Sequence, residues 1–166
     1  MRTAAEFAAL VLMAHQYGDG EGTETVATAH RELERGRKVG HWIWYVFPQR
    51  DGLGQSARSR RFAIRSLDEL RALLDDTQVR DNLVKAFTLA EAALFTGRAV
   101  NLTALFGEDV KKVVSSATLF EHYLRRQSSN SRDLEAMGTA AQSLLAAGVA
   151  VGIAPCVRSL EFGDMD

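Results

Sequence analysis

The chain is poor in cysteine and proline. Of its 166 residues one is a cysteine, Cys156, and two are prolines, Pro48 and Pro155. A single thiol excludes an internal disulfide and a zinc site built on cysteines, and makes a reducing, cytoplasmic setting the expected one. With proline so scarce, long helices can run uninterrupted between Pro48 and Pro155. No apolar run approaches the roughly 20 residues that a membrane-spanning helix needs. Near the N-terminus Arg2 is followed by Glu6, in what reads as an amphipathic helix rather than a signal peptide. His15, His30 and His122 lack metal-ligand spacing to one another, and no H-E-x-x-H or P-loop occurs. Gly52-Leu53-Gly54 lacks the third glycine and the βαβ context of a dinucleotide fingerprint. Neither a metal nor a cofactor is expected.

What is present is an ordinary globular balance, 46% hydrophobic and 25% charged residues. The length suits one domain over residues 1–166 with a self-sufficient core. The net charge is only −1, but Arg31 to Arg71 holds ten basic against five acidic side chains. A local field of that sign beside aromatic surface favours an anionic or π-rich ligand; a solvated basic face is the alternative. A pI near 6.4 argues against a dedicated nucleic-acid binder.

The periodicity predicts an all-α fold, a compact bundle of about six to eight helices. Thr3 and Glu6 form a capping box ahead of a helix to about Tyr17. Further helices are expected over about 25–35, 56–64, 66–74, 78–95, 101–107, 108–126 and 133–147. Ser56 caps the third, Ser66 with Glu69 forms a second capping box, and Asp133 caps the last. The stretch 127–132 reads as a loop, and 148–166 as an irregular tail. "HWIWYVF", residues 41–47, has the composition of a strand but no partner strand is evident, so a short buried helical or irregular segment is expected.

Two clusters could carry chemistry. In the first, Trp42 or Trp44 offers an indole face for a base or sugar, and Lys38 a charge for phosphate. His41 could exchange a proton near neutral pH, with Glu32 as an acid/base partner. The same aromatics could equally fill a core. In the second, Ser115, Ser116 and Thr118 put three hydroxyls within one helical turn, a poor choice for helix propensity. They could orient a ligand or serve helix contact. Shared helical spacing with Lys112 places this second cluster on related faces, and convergence with His41 and Gln49 is expected.

These residues carry a resemblance. "GRKVGHWIWYVFPQ" with "GLG" and Ser56 after it, "RRFAIRSLDEL", and "FGEDVKKVVSSATLF" resemble a bacterial family known as domain of unknown function 1810. The resemblance covers about Gln16 to Phe120. It implies a compact all-α fold and brings no established reaction. Lys38, His41, Trp42, Trp44, Pro48, Gln49, Gly52, Gly54, Ser115, Ser116 and Thr118 are motif positions without assigned roles, and Lys112 best matches the family lysine. The functional expectation is a site for a small anionic, nucleotide- or sugar-like molecule, with N-glycosidic bond hydrolysis as one form. A non-catalytic metabolite-binding or regulatory module is the alternative. The sequence leaves the oligomeric state open.

Overall fold

The computed structural model describes residues 1–127 and 131–161. Part of the 127–132 loop and the last five residues of the tail lie outside the described residues. Helices α1 (Ala4–Tyr17), α2 (Val26–Arg35), α3 (Ile43–Val46), α4 (Ala57–Phe62), α5 (Leu67–Asp75) and α6 (Thr77–Phe95) form the first part. Then follow α7 (Leu102–Phe106), a 3-10 turn at Gly107–Asp109, α8 (Val110–Arg125), α9 (Arg132–Ala150) and α10 (Val157–Leu160). The fold is a single all-α domain.

Local chemistry sets the helix starts. The Thr3 hydroxyl accepts from Glu6 N at 3.1 Å while the Glu6 carboxylate accepts from Thr3 N at 2.7 Å, a closed capping box. Ser56 and Asn101 cap α4 and α7 by the side chain alone, accepting from Ser59 N and Ala104 N. The expected box at Ser66 is only half made. Ser66 accepts from Glu69 N, but Glu69 Oε1 accepts from Arg65 N, because Arg2 holds that carboxylate from the other side at 2.8 and 3.0 Å. The cap of α9 is Ser131, not Asp133; Ser131 stands two residues ahead and its hydroxyl takes Leu134 N. Asp133 instead lies in the first turn, where the helix dipole favours a carboxylate. The tail is less irregular than expected, since α9 continues to Ala150 and a further turn, α10, follows.

α6 lies against α2 on one side and α9 on the other, and α8 packs along α9. Val79, Leu83, Ala86, Phe87, Ala90 and Ala93 form the buried stripe of α6 at the three- and four-residue spacing of a helix face. α9 approaches α8 closely because Gly148 has no side chain; a Cβ there would stand 2.8 Å from Val114 Cγ2.

α3 sits inside this frame. Trp42, Ile43, Tyr45, Val46 and Phe47 are all buried, and the segment is a single helical turn, as the absence of a partner strand implied. Phe47 is its hub: its ring lies 4.9 Å from that of Phe87, 5.2 Å from Phe106 and 6.3 Å from Trp42. The chain leaves the core through a clasp in which Ile64 N donates to Gln49 O and Asp51 N to Ile64 O, both at 2.9 Å. That clasp fixes the loop carrying Gly52 and Gly54 beside α4.

Candidate functional site

The approach to α3 is organised by a carboxylate. Glu32, on the last turns of α2, uses one oxygen, Oε1, to accept from Val39 N at 2.7 Å, Gly40 N at 2.8 Å and the Trp42 indole N–H at 2.9 Å. Gly40 is required by the closeness of this wrap: a Cβ would stand 2.5 Å from Glu24 Cγ and 3.2 Å from Glu32 Oε2. Burial works to raise the Glu32 pKa, but these donors and the Lys38 charge outweigh it and hold it below the usual value. An acceptor so committed keeps Glu32 ionised and anchors the loop.

Lys38 is also turned inward. Its ammonium donates to Gly40 O at 2.7 Å, pairs with Asp109 Oδ2 at 2.8 Å and lies 5.1 Å from the Trp42 ring centre. Its side chain is only 8% exposed, so the charge expected to meet phosphate is spent within the protein. Asp109, at the start of α8, also takes Lys112 on its other oxygen at 2.9 Å. Burial favours protonation of Asp109, yet the two lysines prevail and lower its pKa. Lys38, Asp109 and Lys112 thus form a chain leading from the core to the surface, ending in a Lys112 side chain that is 37% exposed.

That surface end meets Trp44. Unlike its neighbours, Trp44 is half-buried, packed on the core with part of its indole uncovered. Lys112 Nζ lies 6.0 Å from its ring centre and the Arg58 guanidinium 5.2 Å. Arg58, from α4, is itself tied by Asp19 at 3.0 Å and Glu21 at 3.4 Å. Lys112 on α8 and Trp44 on α3 are thus neighbours, a different pair from the Ser115 or Ser116 hydroxyl and His41 or Gln49 whose convergence the sequence suggests.

The hydroxyls divide. Ser115, half-buried one turn beyond Lys112, donates to Lys111 O at 3.0 Å. Thr118 is buried; it donates to Val114 O at 2.7 Å and accepts from Cys156 N at 3.1 Å, fastening the tail to α8. Ser116 is wholly buried and its hydroxyl has no partner. His41 is exposed, with its carbonyl accepting from Glu24 N and the Tyr45 hydroxyl. Gln49 is half-buried and holds the clasp through its main chain. Among the described residues no hydrogen bond or ring contact joins Ser115 or Ser116 to His41 or Gln49.

A family described as "Protein of unknown function (DUF1810)" matches residues 15–144. The chain belongs to this family. The matched span holds every residue of the Trp44 cluster, with Arg58 and Asp109 among them. Among solved structures, the crystal structure of the conserved hypothetical protein Rv1873 from Mycobacterium tuberculosis is similar, with 24% identity and a TM-score of 0.61 over 95% of this chain and 93% of that one. At that identity the likeness shows the fold alone. No curated protein matches the chain.

Sequence reasoning missed Arg58, Asp109 and the tail. Asp109 carried a signal, since it stands three residues before Lys112, the spacing at which helical side chains meet. Arg158 carried none. Its guanidinium donates to Gly52 O at 3.1 Å while Arg50 donates to the Arg158 carbonyl, so the glycine loop is braced from a point 106 residues away. Cys156 lies beside this brace. Burial raises its pKa, but the Ser159 hydroxyl and amide, the Ser115 hydroxyl and the Arg158 amide together lower it. Among the described residues no helix is long and apolar enough to cross a membrane.

Proposed function

We propose that the surface around Trp44, bounded by Arg58, Lys112 and Ser115, binds a small anionic molecule that carries a ring, of the nucleotide or sugar-phosphate kind. The observation that supports it is the contrast within one segment. Trp42, Tyr45 and Phe47 are wholly buried, whereas Trp44 keeps part of its indole uncovered with two cations within 6.0 Å. An indole face stacks on a base or sugar, and the neighbouring cations draw phosphate or carboxylate to the same place. Lys38 and Lys112 share the Asp109 carboxylate, and of the two lysines Lys112 is the one that reaches the surface. Ser115 keeps acceptor capacity for a ligand hydroxyl.

The catalytic form of this reading, hydrolysis of an N-glycosidic bond, draws its support from Asp109. A carboxylate held ionised beside the ligand could stabilise positive charge developing at an anomeric carbon or orient a water. Glu32 and His41 fit that role less well, the first because its oxygen is taken by three N–H groups, the second because it is exposed.

The test is thermal unfolding with AMP, NAD and ADP-ribose. A ligand at a hundred times its Kd adds about 2.7 kcal/mol of stability. Wild-type protein should gain in Tm with at least one compound, Trp44→Ala should lose the gain and Lys112→Ala should reduce it. No shift with any compound, or an equal shift in both variants, refutes the proposal. Release of free base from the bound compound separates hydrolysis from binding alone.

A further inference from the structure

The first helix lacks a charged outer face. Of the 14 residues of α1 only Glu6 is an Asp, Glu, Lys or Arg, so residues 7–17 carry none. A helix on the surface of a domain ordinarily sets a charged face opposite its apolar stripe, and one that is apolar all round is covered all round. One side of α1 is accounted for, with Phe7, Ala8, Val11, Ala14 and His15 buried against the rest of the domain. Another is not. Glu6, Leu10, Met13 and Tyr17 recur at the four- and three-residue spacing of a single face. On that face Met13 is 61% and Tyr17 76% exposed. At 14 residues α1 is too short to cross a bilayer, which leaves protein as the cover.

The two ends of this stripe differ in charge. Glu6 stands at the N-terminal end, where Thr3 N donates to its Oε2 at 2.7 Å and Oε1 has no partner among the described residues. Toward the C-terminal end a recess of about 270 Å³ opens beside Leu10, Met13, Tyr17 and Gly18, and Arg61 lines it too. Arg61 is exposed, and among the described residues it pairs with no carboxylate. Its guanidinium reaches Asp19 O at a long 3.4 Å and lies 5.2 Å from the Phe62 ring centre.

We infer that this face of α1 is a self-association surface, on which a second copy of the chain docks antiparallel. A two-fold contact sets one patch against itself with its direction reversed. Met13 then lies near the axis, and Leu10 of each copy faces Tyr17 of the other. Glu6 of each copy comes to the end of the stripe where the other carries Arg61. The charges select this arrangement. A parallel pairing would set Glu6 on Glu6 and Arg61 on Arg61, and like charges across an interface oppose association. The recess supplies the fit: a cavity of roughly 150 Å³ takes a benzene ring, so this one admits the ring of Tyr17 from the other copy. A contact confined to one helix and the loop beside it is small, so the dimer should dissociate on dilution. The stripe shares no residue with the Trp44 surface, and the inference is independent of the function proposed above.

Sedimentation velocity from about 1 µM to about 1 mM, the range of weak affinities, tests it. The sedimentation coefficient should rise with concentration toward that of a dimer. Met13→Glu, at an exposed position, should keep the circular dichroism spectrum of the parent and weaken association at least tenfold. Glu6→Gln keeps the helix cap while removing the charge, and it should weaken association too. Arg61→Glu should do the same, and Glu6→Arg added to Arg61→Glu should recover association by reversing the pair. Trp44→Ala should associate as the parent does. A chain that stays monomeric throughout the range overturns the inference. So does association that Met13→Glu leaves unchanged, or a folded double variant that associates no better than Arg61→Glu alone.

Discussion

His15 shows what one residue can reveal. It is 1% exposed, and its Nε2 lies 2.6 Å from Tyr45 O, a pure acceptor, so Nε2 carries the proton. Nδ1 then accepts from the Asn82 side-chain amide at 3.1 Å. Both ring nitrogens are satisfied in the neutral form, and a second proton has no acceptor to meet. Burial accordingly lowers its pKa to about 4, against a weaker opposing pull from the Tyr45 carbonyl. The unfolded chain protonates this histidine as pH falls through 6.5, while the folded chain resists until about 4. Stability contributed by the neutral ring is therefore intact above 6.5 and drains away on acidification. At about 1.4 kcal/mol per unit the loss approaches 3 kcal/mol by pH 4. Urea unfolding at pH 7 and pH 4.5 should show it, and His15→Gln should narrow the difference between the two midpoints. An unchanged difference would mean that other groups carry the acid sensitivity.

At the scale of elements, helix boundaries were legible wherever the cap is local. Thr3, Thr25, Ser56 and Asn101 each satisfy an amide three residues on, so sequence alone places those starts. Asp133 misled because an equally good cap, Ser131, precedes it and the chain uses the earlier one. Glu69 misled for a different reason: a residue 67 positions away, Arg2, competes for its carboxylate. The segment around α3 was legible as buried but not in its support, since nothing in "RELERGRKVGHW" marks Glu32 as the acceptor of three N–H groups. Glu32 was expected in a proton-transfer role, and its geometry gives it a mechanical one. Glu32→Ala should leave the Val39 and Gly40 amides and the Trp42 indole unpaired. The loop is partly solvated, so water recovers some of these bonds and the cost should be about 2 kcal/mol. Denaturant midpoints measure it. Near-ultraviolet circular dichroism should lose Trp42 intensity in the same variant, whereas a purely catalytic Glu32 would leave both unchanged.

Across the whole molecule, the candidate site is a meeting of segments far apart in sequence, and that is why its composition was only half legible. The sequence supplied Trp44, Lys112 and Ser115 as residue types suited to a ligand, but not their partners. The partners are Asp109 and Arg58, and the link that brings α8 to the α3 loop is the ion pair of Lys38 with Asp109, 71 positions apart in the chain. Lys38 N adds a main-chain bond to Leu105 O at 2.7 Å, so the same residue fastens the loop to α7 and α8 together. With Lys38 8% and Asp109 18% exposed, the pair is largely shielded from water, and removing one partner strands the other. Lys38→Met and Asp109→Asn should each destabilise the fold, by about 2 to 3 kcal/mol, and the double variant should cost clearly less than the two added together. Lys112 offers the control. It shares the same carboxylate from a more exposed position, so Lys112→Ala should cost under about 1 kcal/mol. A double-mutant cycle by urea unfolding reads the coupling between Lys38 and Asp109, and additivity within about 0.5 kcal/mol would show that the link does not hold the two segments together. If the coupling is found, Lys38→Met should also blunt any ligand-induced rise in Tm. The indole of Trp44 and the ammonium of Lys112 keep their separation only while that buried pair joins their segments.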